Sequence, residues 1–295
     1  MAVYGQRAPF YIVRMNITLL GPGRIGSAIA YHLAGAGHAV TVVARGQRLR
    51  ELSLHNAIVT TTGELAPIQV SSALDATHAA DLLIVTMPEW QVLPLLPQLR
   101  ANHAKAILLM FNTFRGMSFY QAEIGAERLA FGFPNMIAML DAGQLRCKVD
   151  GPGMVSTMSH AAWADLFKSA GLPSEIEADM DSFLLSHAAM VTPIFIAALL
   201  TWQRKTNLSW AEARQLNLAL AEALQLVRQR GHTLKPRAIA LLPHLPAVCR
   251  SALLWLFCRA EASKQLGVFG PAETRHLIDT MAALGDVPQL LRLRP

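Results

Sequence analysis

The sequence predicts an α/β fold in which a doubly wound parallel sheet is followed by an all-helical C-terminal domain. In the first half of the chain, short β-rich runs alternate with helical segments, which is the pattern of parallel strands joined by crossover helices. From about Asp179 the pattern changes to long apolar-periodic helices without strands. We therefore predict one domain at residues 15–178 and a second at 179–295, and we expect residues 1–14 to form a disordered leader.

Composition narrows the class of protein. Of the 295 residues, 53% are hydrophobic and only 16% are charged, against about 25% in a typical globular domain. This excludes a disordered chain and a coiled coil. The most apolar run, residues 188–200, contains Thr192 and Pro193 and is shorter than the ~20 residues that span a membrane. We expect a cytoplasmic protein with no membrane partner.

The charge balance and the cysteines point to small-molecule chemistry. The chain has 26 Lys and Arg against 20 Asp and Glu, a net charge of +6. No basic stripe with interleaved aromatic residues is present, so we predict a small anionic substrate and no nucleic acid partner. Three scattered cysteines are typical of a reducing compartment, and Cys249 and Cys258 are expected to be core thiols on an apolar helix. No metal-ligand spacing occurs, so no metal is predicted.

A glycine-rich loop opens the first domain. The β-rich run at 16–20 is followed by the loop at 21–26, an apolar-periodic helix and a second β-rich run at 39–43. A GxGxxG pattern between a strand and a helix, within a unit of about 30 residues, is typical of a Rossmann-type dinucleotide site.

Each glycine of the loop has its own physical role. Gly21 permits the tight turn, Gly23 lets the backbone approach a pyrophosphate, and Gly26 lets the helix pack close to the sheet. The helix N-terminus offers unpaired N–H groups to the phosphates. We predict cofactor contacts along the whole loop, including Arg24 and Ile25.

The end of the second strand predicts which dinucleotide is bound. An acidic residue at this point contacts the ribose 2′-hydroxyl of NAD. Here the sequence is Val43-Ala44-Arg45, without a carboxylate. Because a guanidinium suits a phosphate dianion, we predict NADP, with Arg45 on the 2′-phosphate. Arg48 and Arg50 are equally consistent with contacts to the phosphate and with solvated helix positions.

Further strands and helices complete the predicted architecture. Strands are expected at 81–86, 106–111 and 130–133, with crossover segments at 90–99 and 118–124, and helices at 180–202, 209–231, 246–265 and 271–284. In a doubly wound sheet, ligands bind beyond the carboxyl ends of the strands. This rule singles out 86–90 and 112–116 as the segments nearest the ligand, and within the first we predict that Thr86 contacts the cofactor.

Four motifs together resemble the ketopantoate reductase (2-dehydropantoate 2-reductase) family. They are Gly21-Pro-Gly-Arg-Ile-Gly26, Val43-Ala-Arg45, Val85-Thr-Met-Pro-Glu-Trp-Gln91 and Phe111-Asn112, and the resemblance covers most of residues 15–145. It implies a Rossmann domain followed by an all-helical domain, as in 6-phosphogluconate-dehydrogenase-like proteins, and NADPH-dependent reduction of ketopantoate for pantothenate synthesis. It also implies that Asn112 lies near the nicotinamide and the substrate.

The chain departs from the family pattern at several positions. Pro88 stands where members usually carry a lysine after the Val-Thr pair, and Thr113 follows the asparagine in place of glycine. The catalytic lysine that the family places before an Asn-Pro step aligns with Leu184, and the late Glu-x-Asp…Asn-Gly pattern is missing. The resemblance therefore implies a divergent member that lacks the usual proton donor.

His187 is the sequence candidate for the missing acid. It lies one helical turn beyond position 184, and a histidine can protonate an alkoxide near neutral pH. The alternative is a core histidine that bonds a nearby carbonyl, and His160, Asp141 and Asp181 rank behind it as acids.

Two classes of function remain open at this point. The first is an NADP-dependent oxidoreductase that reduces a small 2-oxo acid or a related imine, with His187 and Asn112 as catalytic residues. The second is a non-catalytic NADP-binding or sensing protein on the same fold, because a fold does not fix function. A homodimer through the apolar helical domain is expected in either case.

Overall fold

The computed structural model describes residues 14–77, 79–260 and 270–295, together with residues 263, 266 and 267. The predicted leader, apart from Arg14, lies outside the described residues. The strands are β1 (Asn16–Leu20), β2 (Ala39–Val43), β3 (Ala57–Val59), β4 (Leu65–Pro67), β5 (Gln69–Ser71), β6 (Leu82–Val85), β7 (Ala106–Leu109), β8 (Leu129–Phe133), β9 (Ile137–Asp141), β10 (Gln144–Lys148), β11 (Ser156–Met158) and β12 (Ser174–Ile176). The α-helices are α1 (Arg24–Gly35), α2 (Gly46–Ser53), α3 (Glu89–Val92), α4 (Leu96–Ala101), α5 (Met117–Ile124), α6 (Ala161–Ser169), α7 (Met180–Arg204), α8 (Trp210–Gln229), α9 (Arg237–Leu241), α10 (Ala247–Phe257), α11 (Pro271–Leu284) and α12 (Pro288–Arg292).

The central sheet has eight strands in the order β12-β11-β8-β7-β6-β1-β2-β5. From β5 to β8 every neighbouring pair is parallel, and β11 joins the edge antiparallel to β8. The chain order reverses direction between β1 and β6, and a ligand cleft forms at such a switch point. The predicted doubly wound sheet with an all-helical C-terminal part is confirmed.

The strands of this sheet are buried on both faces. β6 is buried along its whole length, and its side chains divide between the two layers of helices. Strands covered on both sides read as continuous apolar runs, which is why the sequence indicates them clearly. Their predicted ends at 86 and 111 are nevertheless too late, because β6 ends at Val85 and β7 at Leu109.

Two hairpins were not expected from the sequence. β3 pairs with β4, and β9 pairs with β10, each antiparallel. The strands of the first hairpin have only three residues each, too few for an alternating pattern to stand out. Both hairpins contribute buried residues, Ile58 and Leu145 among them, to the core that also contains Ile29 of α1.

The C-terminal part is built around α7. This helix is 25 residues long, and the mean hydropathy of its most apolar 18-residue window is 2.0, enough by length and composition to cross a membrane. However, 72% of that window is buried inside the protein, where Leu185 and Ile196 pack with Leu220 of α8. The apolar helix is thus longer than the run at 188–200 suggested, and it has the burial of a core helix.

The region of α10 differs from its prediction. The helix ends at Phe257 instead of continuing to 265, and the backbone of Arg259 and Ala260 turns back on the last residues of the helix. Cys258 is buried as expected, and burial raises the pKa of its thiol to about 11. Cys249, by contrast, is exposed, which corrects the expectation of a core thiol. Helix periodicity alone cannot tell which face a neighbouring helix covers.

Candidate active site

The glycine loop approaches the end of β6 at contact distance. Gly21 has φ +93°, and a Cβ on it would lie 2.3 Å from Cγ of Met87. A Cβ on Gly26 would lie 2.3 Å from the carbonyl oxygen of Gly21 and 2.5 Å from Oγ1 of Thr86. The hydroxyl of Thr86 donates to the Gly21 carbonyl at 2.7 Å. Side chains at these two glycines would therefore force the loop away from the sheet.

Gly23 has open space around it and begins α1. A Cβ there would meet nothing within 4 Å, and the amide of Gly23 donates to the carbonyl of Gly21 at 2.8 Å. No side chain caps α1, and its first turn contains no acidic residue. Ile25 packs partly against the core beneath the sheet. The N-terminus of α1 is thus left available for an anion.

A cleft of about 700 Å³ lies over the carboxyl ends of β1, β2 and β6. It is lined by Gly21, Gly23, Arg45, Thr86 and Trp90, among others. Arg45 is exposed at the N-terminus of α2, and within the described chain its guanidinium makes no hydrogen bond or ion pair. Backbone amides at one end and a free guanidinium at the other suit a ligand with two separate phosphate groups.

Arg48 is held by bonds within the protein, a role that neither of the two alternatives left open for it described. Its Nε donates to the carbonyl of Pro22 at 3.0 Å, and one terminal nitrogen donates to Oγ of Ser27 at 2.9 Å. The other bonds the carbonyl of Gly143 at 2.7 Å and pairs with Glu51 at 3.0 Å. Arg48 therefore fixes the glycine loop to the β9–β10 hairpin.

Asn112 lies after β7 and contacts the helical domain. Its Nδ2 donates to Oε1 of Glu273 on α11 at 2.8 Å, across 161 residues of sequence. The Oδ1 of Asn112 is buried and accepts no hydrogen bond within the described chain. A buried carbonyl oxygen without a donor is costly, so this atom is a ready acceptor for a ligand.

The carboxyl group of Glu273 has an unusual acidity. Burial raises its pKa, and the neighbouring Glu89 acts in the same direction. The hydrogen bond from Asn112 and the proximity of His276 oppose this shift without cancelling it. Glu273 therefore holds its proton to a higher pH than an ordinary glutamate, which favours it as a proton donor.

A second buried carboxylate lies beside this pair. Glu89, at the start of α3, is 1% exposed. Its partners come from both domains, and with it they form a group that we call the Glu89 network: Glu89, Thr113, Arg115, Tyr120 and His276. Because Thr113 follows Asn112 and His276 lies one turn after Glu273, the network directly adjoins the Asn112–Glu273 pair.

The structure places His187 in an aromatic cluster. Its ring centroid is 3.9 Å from that of Phe133 at the end of β8, and Phe183 stacks at 6.3 Å. Burial lowers the pKa of His187 to about 4, so the ring is neutral at neutral pH. Leu184 is 2% exposed in the core beside Phe183. The role of His187 as the acid stays a prediction, and this setting does not favour it.

Sequence reasoning missed Glu89, Glu273 and His276. Glu273 stands third in a helix that begins with Pro271, and an acidic residue in a first turn usually signals only the helix dipole. Glu89 likewise lies in the first turn of a helix, directly after Pro88. Neither position indicates by itself that its carboxyl group is buried in contact with the other domain.

Comparison with known proteins agrees with this geometry. Residues 17–156 match the model of the family described as ketopantoate reductase PanE/ApbA. This N-terminal part of the chain is therefore similar to the ketopantoate reductase family. Over 141 residues the chain is 36% identical to the 2-dehydropantoate 2-reductase of Vibrio cholerae serotype O1, a match that covers 46% of this chain and 43% of that protein.

Solved structures extend the likeness in fold to nearly the whole chain. A PanE/ApbA family ketopantoate reductase from Ralstonia eutropha JMP134 superposes with a TM-score of 0.75 at 20% identity, covering 95% of this chain and 96% of that one. A D-mandelate dehydrogenase in complex with NADH gives a TM-score of 0.72 at 15% identity, with the same coverage. The chain therefore has the two-part fold of these solved structures, a largely parallel sheet followed by a helical domain.

Proposed function

We propose that this protein is an NADPH-dependent reductase that transfers a hydride to a small 2-oxo acid or a related imine. The observation that carries the proposal is the half-buried Asn112–Glu273 pair near the glycine-loop cleft. Pro88 lines that cleft, and its neighbour Glu89 bonds Thr113, which adjoins Asn112. Pro88, Glu89 and Thr113 thus connect the cofactor cleft to the polar pair.

The residues of the cleft fit a phosphorylated dinucleotide. Gly23 and the uncapped N-terminus of α1 would hold the pyrophosphate. Arg45 would pair with a 2′-phosphate, since β2 ends without a carboxylate that could bond a free ribose hydroxyl. When bound, the nicotinamide supplies the hydride, and the chain's own residues must orient the substrate and provide a proton.

Glu273 is the group best suited to provide that proton. Its raised pKa keeps it protonated to a higher pH, and the amide of Asn112 fixes one of its oxygens. Leucine at 184 cannot give a proton, and the neutral ring of His187 is packed against Phe133. A protonated carboxyl group beside the substrate oxygen would neutralise the negative charge that develops there on reduction.

The non-catalytic alternative is weaker on the same observations. A protein that only binds NADP has no need for a half-buried carboxyl group of raised pKa beside an amide oxygen that has no donor in the described part of the chain. Both groups carry a cost in stability that substrate contacts would offset.

The test begins with cofactor binding and turnover. The purified protein is titrated with NADPH and NADH by fluorescence, and oxidation of NADPH is then followed with ketopantoate, other 2-oxo acids and amine-supplemented mixtures that form imines. We expect preference for NADPH and turnover of at least one substrate. Tight NADPH binding without turnover of any substrate would favour the non-catalytic sensing alternative. A homodimer, to be checked by sedimentation, stays a prediction.

A further inference from the structure

Glu89 is a buried carboxylate that the proposed chemistry does not use. It follows Pro88 and is 1% exposed, although an isolated carboxylate is strongly disfavoured in a protein interior. Such a group persists only where hydrogen bonds and opposite charge compensate for lost water. Both of its oxygens are occupied, and they bond different domains.

One oxygen, Oε1, bonds the N-terminal domain. The hydroxyl of Thr113 donates to it at 2.5 Å, and the hydroxyl of Tyr120 donates to the same atom. The Nε of Arg115 lies 3.7 Å away and balances the charge, while its backbone amide donates to the Thr113 hydroxyl at 3.1 Å. These bonds fix the turn that immediately follows Asn112.

The other oxygen, Oε2, bonds the C-terminal domain. The Nε2 of His276 lies 2.6 Å from it, across 187 residues of sequence. His276 follows Glu273 by three residues on α11, so the two side chains lie on the same face of that helix, one turn apart. A fixed position of His276 therefore also fixes the position of Glu273, both around the axis of α11 and along it.

We propose that Glu89 is the interdomain positioning residue of the site: through Oε1 it orients Asn112, through Oε2 it orients Glu273, and it thereby sets the distance between them. This inference rests on the proposed function, because the pair that Glu89 aligns is the proposed reaction site. We assign Glu89 no catalytic role, since within the described residues the polar contacts of its carboxylate are with the other members of the network.

The test compares four variants with a matched control. Glu89→Ala removes both bonds, His276→Ala removes one, and the double variant removes the pair. Glu89→Gln keeps an oxygen for Thr113 and Tyr120 and places a polar amide nitrogen opposite His276. The control is Asp279→Asn, on the same helix as His276, which breaks an exposed ion pair with Arg294 near the end of the chain.

We expect kcat to fall by about 100-fold in Glu89→Ala, because a displacement near 1 Å costs that much, with KM little changed. His276→Ala should lose a similar factor, and the double variant should be no worse than either single one, since the two side chains act as a unit. Glu89→Gln should restore most of the rate, and Asp279→Asn should match the wild type. Equal kcat in folded Glu89→Ala and wild type, or additive losses in the double variant, would overturn the proposal.

A second readout is independent of turnover. Amide hydrogen exchange on the cofactor-free protein should be faster in residues 112–116 and 271–284 of Glu89→Ala, and unchanged there in Asp279→Asn. If the wild type reduces no 2-oxo acid, the proposed function fails while this measurement still decides whether Glu89 joins the two segments. If both segments of Glu89→Ala exchange at the wild-type rate, Glu89 does not join them. Should Glu89→Ala not fold, His276→Ala and Glu89→Gln carry the same comparison.

Discussion

The cofactor cleft and the Asn112–Glu273 site are adjacent, but their polar groups are organised in opposite ways. In the cleft, the main features are backbone amides, glycines and one exposed guanidinium that is unpaired within the described chain. At the Asn112–Glu273 site the contacts join side chains, lie largely inside the protein and connect two domains. The first region is formed by one segment of chain and the end of a sheet, whereas the second exists only when the domains pack.

This difference sets what each region tolerates. A cleft built largely from backbone atoms fails when a side chain is added where a glycine is needed, and among its side chains it depends mainly on Arg45. A site built from buried side chains fails when one member of the network is removed, because the remaining groups are left unpaired. Four predictions follow from this contrast, beginning with the largest effect.

Glu273→Gln should lower kcat by roughly 10²- to 10⁴-fold, the usual contribution of a general acid. The variant keeps an oxygen for the Asn112 amide, so the fold and NADPH affinity should stay near those of the wild type. In the wild type, reduction needs the protonated acid, so kcat should fall as the pH rises through the raised pKa of Glu273. A pH–rate profile that is the same in Glu273→Gln would exclude this carboxyl group as the donor.

Gly26→Ala should destabilise the fold by about 1–3 kcal/mol, as overpacking does, since its Cβ would meet the carbonyl oxygen of Gly21 at 2.3 Å. Gly23→Ala is the matched control, because its Cβ meets nothing within 4 Å. Chemical denaturation should place Gly23→Ala close to the wild type, while its NADPH affinity falls because the methyl group enters the phosphate site. Equal stability of the two variants would contradict the close packing inferred at Gly26.

Arg45→Ala should weaken NADPH binding by roughly 10- to 100-fold, the value of a charge-assisted hydrogen bond of 1.5–3 kcal/mol. NADH binding should hardly change, because NADH lacks the 2′-phosphate. Fluorescence titration of both cofactors checks this, with Arg50→Ala, an exposed arginine of the same helix α2, as the control. Equal losses for NADPH and NADH would show that Arg45 acts elsewhere on the dinucleotide.

Asp279→Asn should have the smallest effect. Two hydrogen bonds from Arg294, at 2.7 and 2.8 Å, hold the pKa of Asp279 below its ordinary value. Because the pKa of Asp279 is lower in the folded state than in the unfolded state, its ion pair stabilises the fold at any pH above the unfolded-state pKa. This stabilisation is lost as the pH falls through the folded-state pKa. Both side chains are about half exposed, so we expect Tm to fall by about 1 to 2 °C at neutral pH and less in acid. A larger fall in Tm in acid than at neutral pH would contradict a lowered pKa of Asp279.

The N-terminal fold could be predicted because its signals are local. β1, the glycine loop and β2 occupy fewer than 30 residues, and each step is indicated by residue type alone. The short β3–β4 hairpin and the end of α10 at Phe257 escaped prediction, because both depend on what packs against them. The same limit explains Cys249, which an apolar helix pattern placed in the core but which is exposed.

By itself the sequence determined the parallel sheet, the glycine loop, the guanidinium at position 45 and the absence of a lysine at 184. These follow from spacing and residue type within one element. Only the tertiary structure decided which carboxyl groups face the site, since Asn112 and Glu273 are 161 residues apart and Glu89 and His276 are 187 apart. Burial and hydrogen bonding between domains set the acidity of a glutamate, and a linear pattern carries no record of either.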